Sequence, residues 1–264
     1  MLRIENPART RLEANQLSIG VGIKVARTVD VARLMNACGF DWLFLDMEHG
    51  ALSIDTVAQL SVAALDAEIA PIVRIRIGDF GTATTLLDCG ALGIVHPHIE
   101  TAEEARAFVD AVRYPPIGHR GVGGPMPQFR YRPVKLAEAI AELNRATLIA
   151  VMLETPEAVS RADEIAAIKG LDIVMIGTND LALAMGHPAE FGHPDVGKAY
   201  ETVAAACKKH GKWLGSGGVY DVNLVKRYVD IGVRFHLSVG DTRMILTSGQ
   251  QCVKELREVS IPAG

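Results

Sequence analysis

Four cysteines in 264 residues, Cys38, Cys89, Cys207 and Cys252, stand far apart and form no CxxC pair. That spacing argues against a clustered-cysteine zinc or dithiol site and reads as four free thiols in a reducing cytoplasm. No stretch approaches the roughly 20 apolar residues of a membrane-spanning helix. The opening residues, MLRIENPART, lack the apolar core of a secretory leader. A soluble, unprocessed, cytoplasmic chain with no membrane partner is expected. Net charge is -4 and no basic cluster exceeds Lys208-Lys209 with Lys212, so nucleic acid is not an expected partner. Neither GxSxG nor HExxH occurs, and no composition shift marks a domain boundary.

What is present is a large apolar fraction, 49%, with 22% charged residues, and one repeated theme. Strand-like runs cover Ser18 to Val25, Trp42 to Asp46, Pro71 to Ile75, Gly93 to His98, Leu148 to Glu154, Asp172 to Gly177, Trp213 to Ser216 and Arg234 to Val239. Helical spacing of apolar residues follows each run: Val29 to Cys38, Ile54 to Asp66, Thr82 to Cys89, Ala102 to Val112, Pro156 to Ile168, Leu181 to Met185 with Val196 to His210, Val222 to Ile231, and Thr242 to Val259. Eight alternations specify an α/β fold, a (β/α)8 TIM barrel formed by residues 1–264 as a single domain. The long irregular segment Tyr114 to Pro133, rich in Gly, Pro and Arg, reads as a functional or interfacial loop.

The chain is organised around Thr147 to Asp180, in which two apolar, β-branched runs end close to two carboxylates, Glu154 and Asp180. Between the runs, Thr155-Pro156-Glu157 carries the signature of a helix start. Strand, helix, strand in a right-handed crossover makes the strands parallel and often neighbours. Both acids should then emerge at one rim, roughly 5 to 10 Å apart. Either acid alone could simply cap the next helix. Facing one cavity, however, two carboxylates repel unless a cation lies between them. A hard divalent ion with open positions suits them and could act as a Lewis acid.

In a barrel, chemistry belongs at the C-terminal ends of the strands. The second strand ends in Asp46-Met-Glu-His49-Gly, where Asp46 could orient the His49 imidazole as a base, or both could serve local turn chemistry. Arg74, ending an apolar strand, calls for an anionic partner such as an enolate or carboxylate. The turn Gly177-Thr178-Asn179-Asp180 starts a helix and could seat a carboxylate on its N–H groups. Ser216, within Gly215-Ser216-Gly217-Gly218, could help cradle a phosphate, although a lone small-residue run is a weak signal. His96 and His98 resemble a metal pair by type, but with no acid between them they read as supporting or core residues.

Taken together, FDWLFLDMEHG, PIVRI, TAEEA with RYPPIGHRGVG, VMLET and IGTNDLALAMG resemble the HpcH/HpaI aldolases, the metal-dependent class II pyruvate aldolases. The resemblance covers about residues 15 to 245, with the motifs in order. It implies a barrel whose last helix is exchanged between subunits of a homotrimer or homohexamer. It implies a divalent ion (Mg2+, Mn2+ or Co2+) held by Glu154 and Asp180, with a 2-oxo acid chelating the ion and an aldehyde as co-product. It assigns Arg74 to the enolate oxygen, the Asp46 and His49 pair to acid-base steps, and Asp88, in LLDCGA, to a neighbouring subunit's site. The family often has Gln where Met152 stands, a substrate-binding position, and Trp where Gly22 stands, followed here two residues on by Lys24. Two other activities remain open at this point: a β-hydroxyacyl-CoA lyase of the citrate lyase β type, and a non-catalytic metabolite-binding barrel.

Overall fold

A computed structural model describes residues 3–260. Eight parallel strands close on themselves in chain order. They are β1 (Ser18–Ile23), β2 (Trp42–Asp46), β3 (Ala70–Arg74), β4 (Gly93–His96), β5 (Leu148–Leu153), β6 (Ile173–Gly177), β7 (Trp213–Gly217) and β8 (Val233–Gly240). The helices up to β5 are α1 (Pro7–Glu13), α2 (Asp30–Ala37), α3 (Ile54–Asp66), α4 (Phe80–Asp88), α5 (Ala102–Val112) and α6 (Leu136–Ala146). Those beyond are α7 (Pro156–Ser160), α8 (Ala162–Ala166), α9 (Thr178–Ala184), α10 (Pro194–His210), α11 (Val222–Ile231) and α12 (Asp241–Arg257). The expected barrel is therefore what forms, with all eight strand positions and most helices in place.

Strand alternation sorts the core into two bodies. Leu43, Leu45, Val73, Ile94, Ile149, Val151 and Val174 face outward and pack beneath the helices. Trp42, Phe44, Ile72, Val95, Met152, Met175 and Phe235 face inward and fill the barrel. The inner packing is tight at its base, where Trp42 stacks on Phe235 at 4.0 Å. Gly20 makes this possible, since a Cβ there would lie 2.2 Å from the indole. The N-terminal end of the barrel is plugged by α1, an element with no counterpart in the sequence-based reading. Asn6 caps it and donates to Leu92 and Ala146 carbonyls at 3.2 and 2.8 Å.

Of three other departures, the last two have local causes. Helix α6 is an additional element between α5 and β5. The single helix expected from Pro156 to Ile168 is two, because Arg161 N–H bonds the Ala158 carbonyl three residues back, a tighter turn that ends α7. Strand β4 stops at His96 because Pro97 brings no N–H to a ladder. Among the described residues, no helix is long and apolar enough to cross a membrane.

His236 is a charge-sensitive group of the outer layer. His236 is buried with Nδ1 2.8 Å from Ser216 Oγ, and burial pushes its pKa from 6.5 down to about 4. The unfolded chain binds this proton below the ordinary histidine range, whereas the native imidazole stays neutral until far lower pH. Its contribution is thus complete above about pH 6.5 and is lost as pH falls toward 4. Between about pH 7 and about pH 5, wild type should lose on the order of 2 kcal/mol of unfolding free energy through this residue. Urea titrations at both pH values should show a shallower loss in His236→Asn, and equal losses in the two proteins would refute the assignment.

Candidate active site

The C-terminal rim of the barrel encloses a cavity of about 130 Å³. Lys24, Asp46, His49, Arg74, Met152, Glu154, Gly177, Thr178, Asn179 and Asp180 line it, with Tyr220 and Leu237 closing the side toward β7 and β8. Strand pairing explains the convergence. In the β5–β6 ladder, Leu153 faces Ile176, so Glu154 arrives beside Gly177, and Asp180 follows on the first turn of α9. Gly177 leaves the room that the Glu154 side chain takes up: a Cβ would meet its Oε1 at 2.4 Å.

Glu154 is buried, and its Oε1 has no hydrogen-bond partner. Its Oε2 accepts the His98 N–H at 2.8 Å and lies 3.0 Å from His98 Nδ1. Burial pushes its pKa up to about 7, Asp180 adds to the rise, and His98 and Arg74 oppose it. An orphaned carboxylate oxygen, with a second carboxylate lining the same cavity, is a donor set of the kind a cation would satisfy. Hard oxygen donors of this kind fit a divalent ion.

Across the cavity, Asp46 and Arg74 form a fork: Nε and Nη2 reach Oδ1 and Oδ2 at 3.0 and 2.7 Å. Their strands pair with Asp46 opposite Arg74. The Asp46 carboxylate is held below its ordinary pKa because Arg74 and the His49 N–H outweigh a large burial penalty. The remaining Arg74 nitrogen, Nη1, is 3.1 Å from Glu48 Oε2 and 3.9 Å from Met152 Sδ. Arg74 also lies 5.1 Å from the Phe44 ring centre, so its guanidinium is fixed on three sides.

Several sequence-based expectations need correction. Asp46 does not grip the His49 ring; it accepts the N–H groups of Glu48 and His49 at 3.2 and 3.1 Å, the turn chemistry that was the other option. The His49 side chain is 52% exposed and stands at the rim. Thr178 lines the cavity, but its hydroxyl is 2.7 Å from that of Tyr200, so only its backbone is free to meet a ligand. Ser216 does not reach the cavity at all, because on β7 it points outward to His236. Asp88, expected at a neighbouring subunit's site and not at this one, ends α4, next to the start of β4 and so toward the opposite face of the barrel. There it accepts Arg120 Nη2 at 2.5 Å and lines a separate groove. Of the two histidines, His96 is structural, taking the Gly78 N–H at 3.1 Å.

Glu48 escaped the sequence reading, whereas His98, read there as a supporting or core residue, is found beside Glu154. Glu48 and His98 join the two halves of the site, with His98 Nε2 3.1 Å from Glu48 Oε1 and Nδ1 on Glu154. The available signal was Pro97, which ends the strand and frees His98 from strand alternation; His98 takes φ 50° and turns toward Glu154. Among the described residues, one group of three histidine and carboxylate chains lies within gripping distance of a single ion: His187, Glu190 and His193. It sits outside the cavity, its imidazoles stack at 3.4 Å, and His193 Nδ1 is occupied by the Asp195 N–H at the start of α10.

A family model described as HpcH/HpaI aldolase/citrate lyase matches residues 25–246. A 4-hydroxy-4-methyl-2-oxoglutarate aldolase, tasA, from Hapsidospora irregularis is 31% identical, with 99% of this chain and 98% of the relative aligned. A hydroxypyruvate/pyruvate aldolase from Cupriavidus necator is 34% identical over 96% of this chain and 93% of its own. The crystal structure of an HpcH/HpaI aldolase from Desulfitobacterium hafniense superposes with a TM-score of 0.90 at 30% identity, covering 97% of this chain and 98% of that one.

Proposed function

The chain belongs to the HpcH/HpaI aldolase/citrate lyase family and is a carbon-carbon lyase, and from that premise we propose a division of roles among its residues in the cleavage of 4-hydroxy-2-oxo acids. The products are pyruvate, or a close 2-oxo acid, and an aldehyde or ketone. The observation that carries this reading is the pair of facing halves, an orphaned Glu154 with Asp180 on one wall and a fixed Arg74 on the other.

Cleavage breaks the C3–C4 bond, so the C4 hydroxyl proton must leave and the electron pair must settle on an enolate. A divalent ion held by Glu154 and Asp180 would supply Lewis-acid stabilisation of that developing charge. Arg74 presents Nη1 toward the cavity and steadies the enolate oxygen, its geometry set in advance by the Asp46 fork. His49, at the rim, takes and returns the proton. The N–H groups at the start of α9 face the substrate carboxylate, and Met152, a soft and weak acceptor, competes little for the Arg74 Nη1 that Glu48 holds in place. Mg2+, Mn2+ and Co2+ all suit the oxygen donors.

Exposed apolar residues of α12, Ile245, Leu246, Val253 and Leu256, favour exchange of this helix between subunits of a homotrimer or homohexamer. In such an assembly Asp88 would serve a neighbour's site. The test of the chemistry is the enolisation half-reaction. With Mg2+ or Mn2+ present, the methyl protons of pyruvate should exchange with solvent deuterium, followed by proton NMR, and exchange should stop with EDTA. Absence of exchange from metal-loaded protein would favour a binding barrel over an aldolase.

A further inference from the structure

The β1 side of the cavity differs in kind from the rest. Gly20, Gly22 and Lys24 alternate along β1 and the residue beyond it. Trp42 occupies the space over Gly20, but a Cβ at Gly22 would meet Gly240 Cα at 3.5 Å, Val239 O at 3.6 Å and Leu237 Cδ1 at 3.9 Å, all ordinary contacts. The wall is therefore bare at Gly22 and carries an ammonium group above it.

That ammonium is held in place by an anchor distant in sequence. The backbone N–H groups of Lys24, Val25 and Ala26 all converge on Asp241 Oδ2, at 3.1, 2.9 and 2.9 Å, and Asp241 is 4% exposed. Three donors on one buried carboxylate oxygen fix where the residue 24 side chain departs. Its Nζ lies 3.3 Å from Asp46 Oδ2. Asp46 is already satisfied without it, since it holds the Arg74 fork and accepts two N–H groups. Lys24 is a surplus cation for that acid, and its side chain is 43% exposed toward the opening.

We propose that Lys24 receives a carboxylate on the acceptor half of the substrate, so that the chain takes 4-hydroxy-2-oxo diacids in preference to analogues with a neutral tail. This rests on the aldolase reading above, which puts the donor 2-oxo acid against Glu154, Asp180 and the start of α9. The acceptor half then extends along the bare wall at Gly22 toward the ammonium. A Lys24 that served only to neutralise Asp46 would act through Arg74 and the enolate, and would affect every substrate alike.

The experiment compares wild type, Lys24→Met and Lys24→Arg, all metal-loaded, on 4-hydroxy-2-oxoglutarate and on 4-hydroxy-2-oxopentanoate, which has a methyl in place of the distal carboxylate. Wild type should favour the diacid in kcat/KM. Lys24→Met should lower the diacid-to-monoacid ratio by roughly 10- to 100-fold, the worth of one charge-assisted hydrogen bond, mainly through the diacid's KM. Lys24→Arg should keep most of the preference. An unchanged ratio in Lys24→Met, including a parallel fall on both substrates, overturns the assignment, as does a wild type that prefers the monoacid. Deuterium exchange into pyruvate by wild type separates the two levels. Exchange with an unchanged ratio defeats only the Lys24 role, whereas no exchange defeats the aldolase reading beneath it.

Discussion

Glu154→Gln should bind Mn2+ at least about 100-fold more weakly than wild type and lose most aldol cleavage at limiting metal, with excess metal restoring part of it. The substitution keeps size and burial and removes one of two anionic oxygen donors. It should not harm the metal-free fold. Glu154 is buried with Oε1 unpartnered, and its raised pKa, about 7, records that the charged form is disfavoured there. A neutral amide relieves that penalty, and its carbonyl oxygen can still accept the His98 N–H that Oε2 takes now. The metal-free variant should therefore melt at or above the metal-free parent, and the thermal stabilisation expected of Mn2+ in wild type should be lost in it. Calorimetric titration and melting curves with and without Mn2+ read both quantities. Unaltered Mn2+ affinity would remove Glu154 from the metal site, and collapse of the metal-free variant would make its role structural.

The strands of the barrel were readable because each is buried on both faces. Parallel strands under helices become continuous β-branched runs, and Leu148–Leu153 and Ile173–Gly177 show the pattern without interruption. Helix α6 was hidden by the repeat itself. One helix per strand satisfied the alternation once α5 was found, although Leu136, Ile140 and Leu143 recur at helical spacing. Helix α1 gave less signal, because only Ala8 and Leu12 of its seven residues are buried. Its stability comes from Asn6 reaching across the barrel floor, a contact over 86 and 140 residues of sequence. No local pattern carries that.

The site was legible where sequence position dictates direction. Glu154 and Asp180 follow neighbouring parallel strands, and that alone brought them to one cavity. It was illegible where several groups compete for one acid. Asp46 has Arg74, Lys24 and two backbone N–H groups within reach, and the choice of the Arg74 fork over the His49 ring follows from β2–β3 register. Ser216 failed for a related reason. A one-residue difference in strand phase turns a side chain from the barrel interior to the helix layer, and Gly215 and Gly217, which face Met175, hold the inward positions on β7.

Arg74→Met should fail twice, in stability and in chemistry, and the two failures can be separated. Removing the guanidinium leaves Asp46 fully buried with its two N–H donors and a single cation, Lys24, at 3.3 Å. Breaking a buried pair on one side costs about 3 kcal/mol, because the remaining charge is stranded. Cleavage should also fall by roughly 100- to 1000-fold, the usual effect of losing one fixed donor to a developing oxyanion. Adding Asp46→Asn removes the stranded charge, so the double variant should recover much of the unfolding free energy in urea. It should not recover the cleavage rate, because an amide at position 46 places no donor where Nη1 stood beside Met152 and Glu48. Recovery of rate together with stability would mean that Arg74 serves only to hold the fold around Asp46. Recovery of stability alone isolates its contribution to the enolate.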